Sequence, residues 1–200
     1  MVNQITFHPE SERLARGLNR CVAVLTSWTG VVYRSTSPRY ANKDDLLTGV
    51  GSKASGARWN PPNSFRTIYA SLDPQTALEE ALAHFQYYGI PIAQAMPRVI
   101  VSVRVKLQRT LNLKDGKTRW LLGVSEKRIL DEPWRNKQDN GQEALTQAIA
   151  RLAYNKNWEG MFVPSAARRG GVNLVVFPAN LKPPKSWLHI INLEDLPTSR

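Results

Sequence analysis

The sequence predicts a single α+β domain with a central mixed or antiparallel sheet flanked by helices. Segments with strand character outnumber segments with helical periodicity. Most predicted strands follow one another without a crossover helix, which disfavours a parallel α/β layout. The chain has 200 residues, 42% of them hydrophobic, so it can bury one sizeable core and is short for two full domains. We therefore expect one domain over residues 1–200.

Helical periodicity is clearest in two segments. One follows Asp73 and Pro74, which form a helix start signal. Its apolar face comprises Leu78, Ala81, Leu82 and Phe85. Glu80 lies roughly 150° from the middle of that face around the helix axis. The second segment lies within residues 141–158, and a shorter surface helix is predicted over about residues 9–27.

Strand signals come from β-branched and aromatic residues. The strongest strand covers residues 97–107. Valine occupies every second position from 99 to 105, and the residues between are basic towards the end of the strand, at Arg104 and Lys106. Further strands are predicted at 31–34, 67–71, 161–163 and 173–177, with an edge strand at 187–193. Residues 35–62 are predicted to form an ordered loop, and residues 111–141 irregular structure with one short helix.

The charge of the chain is strongly positive. Lysine and arginine number 27 against 16 acidic residues, a formal charge of +11. A positive field attracts anions. It does not distinguish nucleic acid, a phosphate-bearing metabolite or an acidic protein partner.

Residue content excludes other classes of protein. No stretch approaches the roughly 20 apolar residues of a membrane span, and the N-terminus lacks a signal peptide, so we expect a soluble cytoplasmic protein. Cys21 is the only cysteine and the three histidines are far apart, so neither a disulfide nor a metal site is expected. We expect the Cys21 thiol to be buried and inert. Residues 49–54 fit the loose G-x-G-x-x-A form of the dinucleotide fingerprint, but no strand signal precedes them, so a Rossmann site is not expected. Residues 51–58 fail as a P-loop, because Ala57 and Arg58 replace the required Lys and Ser/Thr.

Two arginines admit both a structural and a functional interpretation. Arg34 ends an apolar strand, where a buried guanidinium needs either a carboxylate or a bound anion. Arg58 lies in the rigid loop GARWN, either as a solvated charge or as part of a site. Within the same loop, we expect Trp59 to anchor the core.

The glutamate and serine candidates also admit both a structural and a functional interpretation. Glu79 and Glu80 can cover a solvated helix face, and Glu80 lies more nearly opposite the apolar face. Ser165 is predicted in a turn after a buried strand. We expect Arg168 and Arg169 to be exposed, where they could steer an anion towards a nearby site.

Five sequence blocks, in this order, resemble the RES-domain family, named for its Arg, Glu and Ser signature. They are YRS, GARWN, IYAS, ALEEALAH and VPSAARRGGVNLVVFP, and they extend from about Val31 to Pro178. The resemblance implies an ADP-ribosyltransferase-like fold and an enzyme that takes NAD⁺ as a substrate rather than as a bound cofactor. It also implies the toxin of a bacterial toxin–antitoxin pair, with a cognate antitoxin protein as its partner.

The resemblance also assigns site residues. Arg34, Glu80 and Ser165 match the signature arginine, glutamate and serine, whereas Arg58 and Tyr69 match further pocket positions. By this resemblance the catalytic residues are Glu80, Arg34 and Ser165, with Glu80 as the catalytic carboxylate. Arg34 and Arg58 are expected to bind the pyrophosphate of NAD⁺. Tyr69 and Ser165 are expected to position the nicotinamide ribose.

Several alternatives stay open. The reaction could be NAD⁺ hydrolysis, NAD⁺ phosphorolysis or ADP-ribosylation of a protein. Leu78 replaces a glutamate common in arginine-modifying transferases, which favours a small-molecule acceptor. Ser35 replaces an aromatic residue frequent in the family, which leaves nucleotide stacking there open. The charge and six tryptophans would also suit a nucleic-acid-binding module without catalysis, although no helix carries a basic stripe. A homo-oligomer is neither favoured nor excluded.

Overall fold

A mixed sheet forms the centre of the structure. The structure is a computed structural model, and it describes residues 5–191 and 193–196. The strands of the sheet are β1 (Thr26–Thr36), β2 (Ile68–Ser71), β3 (Val99–Asn112), β4 (Gly160–Pro164), β5 (Val172–Val176) and β6 (Trp187–Ile190). The strand order is β1-β2-β5-β4-β3-β6. β3 and β4 are parallel, and the other neighbours are antiparallel. The predicted α+β fold with a mixed sheet is confirmed.

β1 also pairs with β3, so the pairings among β1 to β5 close into a circuit. β3 serves several neighbours because it is long: β1 follows one edge, and β6 and β4 pair with successive parts of the other. Side chains from all five strands bury one shared cluster, which we call the inner core. It includes Val32, Ile68, Val103, Phe162 and Leu174. β6 pairs with β3 alone, as predicted for an edge strand.

Helices flank the sheet. They are α1 (Ser11–Cys21), α2 (Lys43–Leu47), α3 (Val50–Ser55), α4 (Pro74–Tyr87), α5 (Ile92–Ala95), α6 (Gly116–Leu122), α7 (Glu126–Leu130), α8 (Trp134–Asp139) and α9 (Leu145–Asn155). α2 buries Leu46 in the inner core. α1 and α9 pack with β4 and β5 in a second cluster, the outer core. Alternating side chains of β5 therefore enter the inner core at Leu174 and the outer core at Val175.

The side of α4 that packs against the sheet differs from the apolar face predicted from the sequence. Asp73 accepts a hydrogen bond from the Thr76 amide and caps the helix. The buried residues of α4 are Thr76 and Ala77, whereas the predicted apolar face around Leu78 is only half-buried. Small side chains let the helix approach the sheet closely. That buried side is the one that carries Glu80.

Three predicted boundaries are wrong. The first predicted helix, residues 9–27, ends at Cys21, and its last residues begin β1. Residues 35–62, predicted as a loop, contain a 3₁₀ turn, α2 and α3. Residues 111–141, predicted as irregular with one short helix, complete β3 and form α6, α7 and α8. These helices have at most seven residues, which is too few to show a periodic apolar face. Polar N-cap residues help to stabilise α6, which Asp115 caps, and α7, which Ser125 caps.

Two core predictions are confirmed. Trp59 is 2% exposed and lies in the outer core, which anchors the GARWN loop. Cys21 is fully buried, and burial raises the pKa of its thiol, so the reactive thiolate is disfavoured. Among the described residues, no helix is long and apolar enough to cross a lipid bilayer.

Substitutions at two positions of β3 should differ in their effect on stability, because one side chain lies in the outer core and the other is exposed. Leu111 is fully buried in that core, so Leu111→Ala should lower the free energy of unfolding by about 2–5 kcal/mol. Ile100, on the same strand, is 39% exposed, and Ile100→Ala should cost about 1 kcal/mol or less. Urea unfolding of both variants measures this. Equal losses would contradict the assignment of Leu111 to the core.

Candidate active site

The carboxylate of Glu80 is the meeting point of three elements. Its Oε1 atom accepts a 2.6 Å hydrogen bond from the Ser165 hydroxyl and another of 2.6 Å from Asn173 Nδ2. Ser165 follows β4, Asn173 lies on β5, and Glu80 is on α4. Among the described residues, Glu80 Oε2 has no hydrogen-bond donor. One oxygen of the carboxylate is therefore held in place while the other stays available.

Ser165 is oriented by its own backbone turn. Its Oγ atom accepts hydrogen bonds from the amides of Ala167 (3.2 Å) and Arg168 (2.9 Å). A serine hydroxyl has one proton and two lone pairs, so these contacts direct the proton towards Glu80. With both lone pairs engaged, the oxygen is poorly placed to act as a nucleophile. The geometry makes Ser165 a positioning group.

Asn173 is a site residue that sequence reasoning missed. Its Oδ1 atom accepts a 2.7 Å hydrogen bond from the Ser71 hydroxyl, and Ser71 is its partner across the β2–β5 ladder. The same amide donates to Glu80, so it bridges the sheet and the helix. An asparagine inside an otherwise apolar strand is unusual, and this was the available signal in the sequence VNLVV.

A second set of contacts ties the turn after β4 to the N-terminus of α4. Arg168 donates to Asp73 Oδ1 at 2.6 Å and to the Thr76 hydroxyl at 3.1 Å. The prediction that Arg168 is exposed is therefore wrong, because the ion pair holds it half-buried against the helix, whereas Arg169 is exposed as predicted. A Cβ atom on Gly171 would lie 2.8 Å from the Thr76 hydroxyl oxygen and 3.0 Å from Ser165 Cβ. Only glycine permits this close approach.

The GARWN loop is held by Tyr69. The Tyr69 hydroxyl donates to Asn60 Oδ1 at 2.8 Å and accepts from the Trp59 amide at 3.1 Å, and burial raises its pKa. Arg58 Nη1 donates to the carbonyl oxygens of Ile129 (2.9 Å) and Leu130 (3.3 Å). Tyr69 thus fixes the loop that carries Arg58.

Arg58 lies in the electrostatic environment of Glu80. Burial lowers the pKa of Arg58, and the nearby Glu80 carboxylate opposes that shift. No ion pair within 4.0 Å involves Arg58 among the described residues, because its contacts are to neutral carbonyls. Its charge is therefore not neutralised by a direct partner.

Arg34 lies on the face of β1 that faces the inner core. It shares the side of Val32 and pairs opposite Val101, both buried in the inner core, whereas its neighbour Tyr33 is opposite Ser71. Its Nη1 donates to the Leu46 carbonyl oxygen. Burial lowers the pKa of Arg34 to about 10, so the guanidinium stays charged at neutral pH. Within the described chain no carboxylate forms an ion pair with it.

The structure links the five predicted residues to different degrees. Glu80 and Ser165 are in direct contact, and Tyr69, which lies on the same face of β2 as Ser71, fixes the loop that carries Arg58. Arg34 makes no hydrogen bond to any of them. The role of Arg34 in the site stays a prediction.

Comparison with known proteins places the chain in a family. The sequence model of the RES domain matches residues 31–197. The chain belongs to the RES-domain family. The recognition from the five sequence blocks is therefore confirmed.

The RES domain has curated relatives in mycobacteria. It is 26% identical over 151 residues to the NAD(+) phosphorylase MbcT of Mycobacterium tuberculosis and to the protein of that name in Mycobacterium bovis. The matched region covers 74% of this chain and 73% of each relative. A solved structure, the crystal structure of the M. tuberculosis MbcT-MbcA toxin-antitoxin complex, contains a chain that superposes with a TM-score of 0.67 and 23% identity. That match covers 93% of this chain and 97% of the other and concerns the fold.

The close packing of the turn on α4 predicts a sharp effect of one methyl group. Gly171→Ala should lower the free energy of unfolding of the RES domain by about 1–3 kcal/mol, because the new Cβ overlaps Thr76 and Ser165. Gly116→Ala is the matched control, since a Cβ there meets no atom within 4 Å. Thermal unfolding measures both. A Gly171→Ala protein as stable as the control would contradict the packing described.

The Asp73 cap predicts a pH-dependent contribution to stability. The Thr76 hydroxyl, followed by the Thr76 amide and Arg168, lowers the pKa of Asp73 below its ordinary 3.8. A lowered carboxyl pKa stabilises the fold above the unfolded value, and this stabilisation disappears as the pH falls through the folded value. Asp73→Asn keeps a capping oxygen and removes the charge. The wild type should be more stable by about 0.2–1 kcal/mol at pH 7, and the difference should vanish below the folded pKa.

Unfolding temperatures of the wild type and Asp73→Asn, measured from pH 7 down to about pH 2, test this linkage. A stability difference that persists unchanged at the acid end would show that the charge of Asp73 is not its source.

Proposed function

We propose that this RES domain cleaves the bond between nicotinamide and ribose in NAD⁺. The observation that carries the proposal is the Glu80 carboxylate, held by Ser165 and Asn173 beside the charge of Arg58. Similarity to proteins named NAD(+) phosphorylase supports the choice of substrate. NAD⁺ is consumed as a substrate, and no bound cofactor enters the proposal.

The chemistry requires a fixed negative charge. When the bond from ribose C1′ to the nicotinamide nitrogen breaks, nicotinamide leaves with the electron pair and positive charge develops on the ribose. A carboxylate oxygen aimed at this carbon stabilises the transition state. Glu80 Oε2 serves this purpose, since Ser165 and Asn173 hold Oε1 and so orient the group before the substrate arrives.

The acceptor then bonds to C1′. Water gives ADP-ribose and a proton, and inorganic phosphate gives phosphorylated ADP-ribose, which is the outcome that the name of the mycobacterial relatives favours. A protein side chain would give an ADP-ribosylated protein.

Cations bind the rest of the dinucleotide. Guanidinium groups match phosphate oxygens bidentately and remain charged at working pH. Arg58, on the Glu80 side, is placed to bind the pyrophosphate, and the net charge of +11 draws the dinucleotide towards the protein. The proposal keeps Arg34 as a second phosphate ligand on the basis of its signature position and its unneutralised charge.

The proposal includes a biological role. The chain acts in the cytoplasm, where NAD⁺ is available, as the toxin of a toxin–antitoxin pair, and residues 1–200 form one RES-type domain. Its partner is a cognate antitoxin protein. The structural relative solved in a toxin-antitoxin complex supports this role. Expression of the chain should arrest growth, and the product of a neighbouring gene should restore it.

Glu80→Gln tests the catalytic assignment. The amide oxygen can still accept both hydrogen bonds, but the negative charge is lost, so the rate of nicotinamide release should fall at least about 100-fold with little change in melting temperature. Glu79→Gln is the matched control. Glu79 is hydrogen-bonded to Gln75 and makes no hydrogen bond to Ser165. It lies 3.7 Å from Arg168, whose shorter ion pair with Asp73 is kept in the variant, so Glu79→Gln should retain wild-type kcat.

The assay follows free nicotinamide from NAD⁺ with and without inorganic phosphate, and mass spectrometry identifies the other product. Equal rates for wild type and Glu80→Gln would refute the role of Glu80. Absence of nicotinamide release by the wild type under both conditions, and also in the presence of candidate acceptor proteins, would refute the proposed function.

A further inference from the structure

Arg135 on α8 is a cation held between two aromatic rings. The central carbon of its guanidinium lies 4.3 Å from the centroid of the Tyr87 ring and 4.4 Å from that of the Trp134 ring. Contacts of this kind attract a cation to the ring faces and fix the plane of the guanidinium. They do not neutralise its charge. Arg135 is thus positioned without being paired.

The rings place Arg135 on the Glu80 side of α4. Tyr87 follows Glu80 by seven residues, two helical turns, and therefore lies on the same side, about 10 Å further along the axis. His84 lies between them, one turn from Glu80. The contact with Tyr87 places Arg135 at this stretch of the helix, and the pKa of His84 is lowered first by burial and then by the charge of Arg135.

One segment of chain positions both Arg58 and Arg135. The charge of Arg135 also contributes to the lowered pKa of Arg58, after burial and against the effect of Glu80. The carbonyls of Ile129 and Leu130 bind Arg58, and Arg135 follows five residues later. Two like charges are therefore brought together by the fold.

Neither arginine has a direct carboxylate partner within the described residues. Arg135 forms no ion pair there, and its Nε atom is buried without a hydrogen-bond acceptor. A buried donor without an acceptor is unfavourable, and the repulsion between the two cations adds to that cost. Glu80 and Glu132 are the acidic groups whose charges act on Arg58. Glu132 is already bound to Lys137 and to the Leu145 amide.

We propose that Arg135 and Arg58 form a subsite for a phosphate group on the Glu80 side of α4. Two guanidinium forks positioned by the same segment of chain match the oxygens of one phosphate or pyrophosphate, and a bound anion would supply an acceptor for Arg135 and offset the like charges. The proposal rests on the proposed function and extends it to the segment 126–139. The phosphate belongs either to the pyrophosphate of NAD⁺ or to inorganic phosphate as acceptor.

Binding measurements test the subsite without turnover. Isothermal titration with inorganic pyrophosphate, inorganic phosphate and ADP-ribose should give an affinity about 10- to 100-fold lower for Arg135→Gln than for wild type, the loss typical of a charge-assisted contact. Arg135→Lys should recover part of the loss, since it keeps the charge and loses the planar fork. Arg128→Gln is the matched control, because Arg128 lies in the same segment and pairs with Glu10.

Steady-state kinetics distinguish the two sources of phosphate. A higher KM for NAD⁺ alone in Arg135→Gln assigns the subsite to the pyrophosphate, and a higher KM for inorganic phosphate alone assigns it to the acceptor. Unchanged binding of all three titrants would overturn the proposal. A loss of melting temperature with unchanged KM values in both Arg135 variants would also overturn it, in favour of a packing role.

The two proposals fail separately. If the wild type releases no nicotinamide, the titrations still measure the subsite. If it releases nicotinamide and Arg135→Gln binds pyrophosphate, phosphate and ADP-ribose as tightly as the wild type does, the subsite fails and the proposed function stands.

Discussion

The two hydrogen bonds that converge on Glu80 Oε1 are the constraint on which the arrangement of the site depends. Their donors, Ser165 and Asn173, lie 85 and 93 residues away along the chain. A carboxylate that is partly withdrawn from water must be hydrogen-bonded, or its burial is strongly unfavourable. The helix that carries Glu80 can therefore pack against the sheet only where the turn after β4 and the strand β5 supply these donors.

Close packing of small groups makes those bonds possible. Thr76 and Ala77 bring α4 against the sheet, and Gly171 brings the turn against α4. Because the helix is positioned by its small and polar side, its leucine-rich face remains half-buried. The packing of this helix thus follows the requirements of the site in preference to maximal burial of apolar surface.

Four half-buried arginines divide into two kinds. Arg168 is paired with Asp73, so its charge is neutralised and serves to join the turn to the helix. Arg34 and Arg58 instead donate to backbone carbonyls, which satisfy hydrogen bonds without cancelling charge. Arg135 is held by aromatic faces. Positive charge that the fold positions and leaves unneutralised is what a dinucleotide or a phosphate acceptor requires.

Local patterns in the sequence were sufficient for the main elements. Alternating valines predicted β3, start signals and periodicity predicted α4 and α9, and five ordered blocks identified the family and the signature residues. These features depend on residues that are near one another in the chain or on a recognisable order of motifs. The short helices between residues 35 and 62 and between 111 and 141 left no such pattern, because they are too short to repeat one.

By itself, the sequence determined the fold class, the family and the identity of Glu80 as the carboxylate to examine. Only the tertiary structure decided what surrounds it: the bonds from Ser165 and Asn173, and the side of α4 that faces the sheet. It also decided that Arg34 lies on the inner-core side of β1. The physical reason is that these features arise from contacts between distant segments and from the alternation of side chains across paired strands. Neither the long-range contacts nor the strand pairing can be read from a single stretch of the sequence.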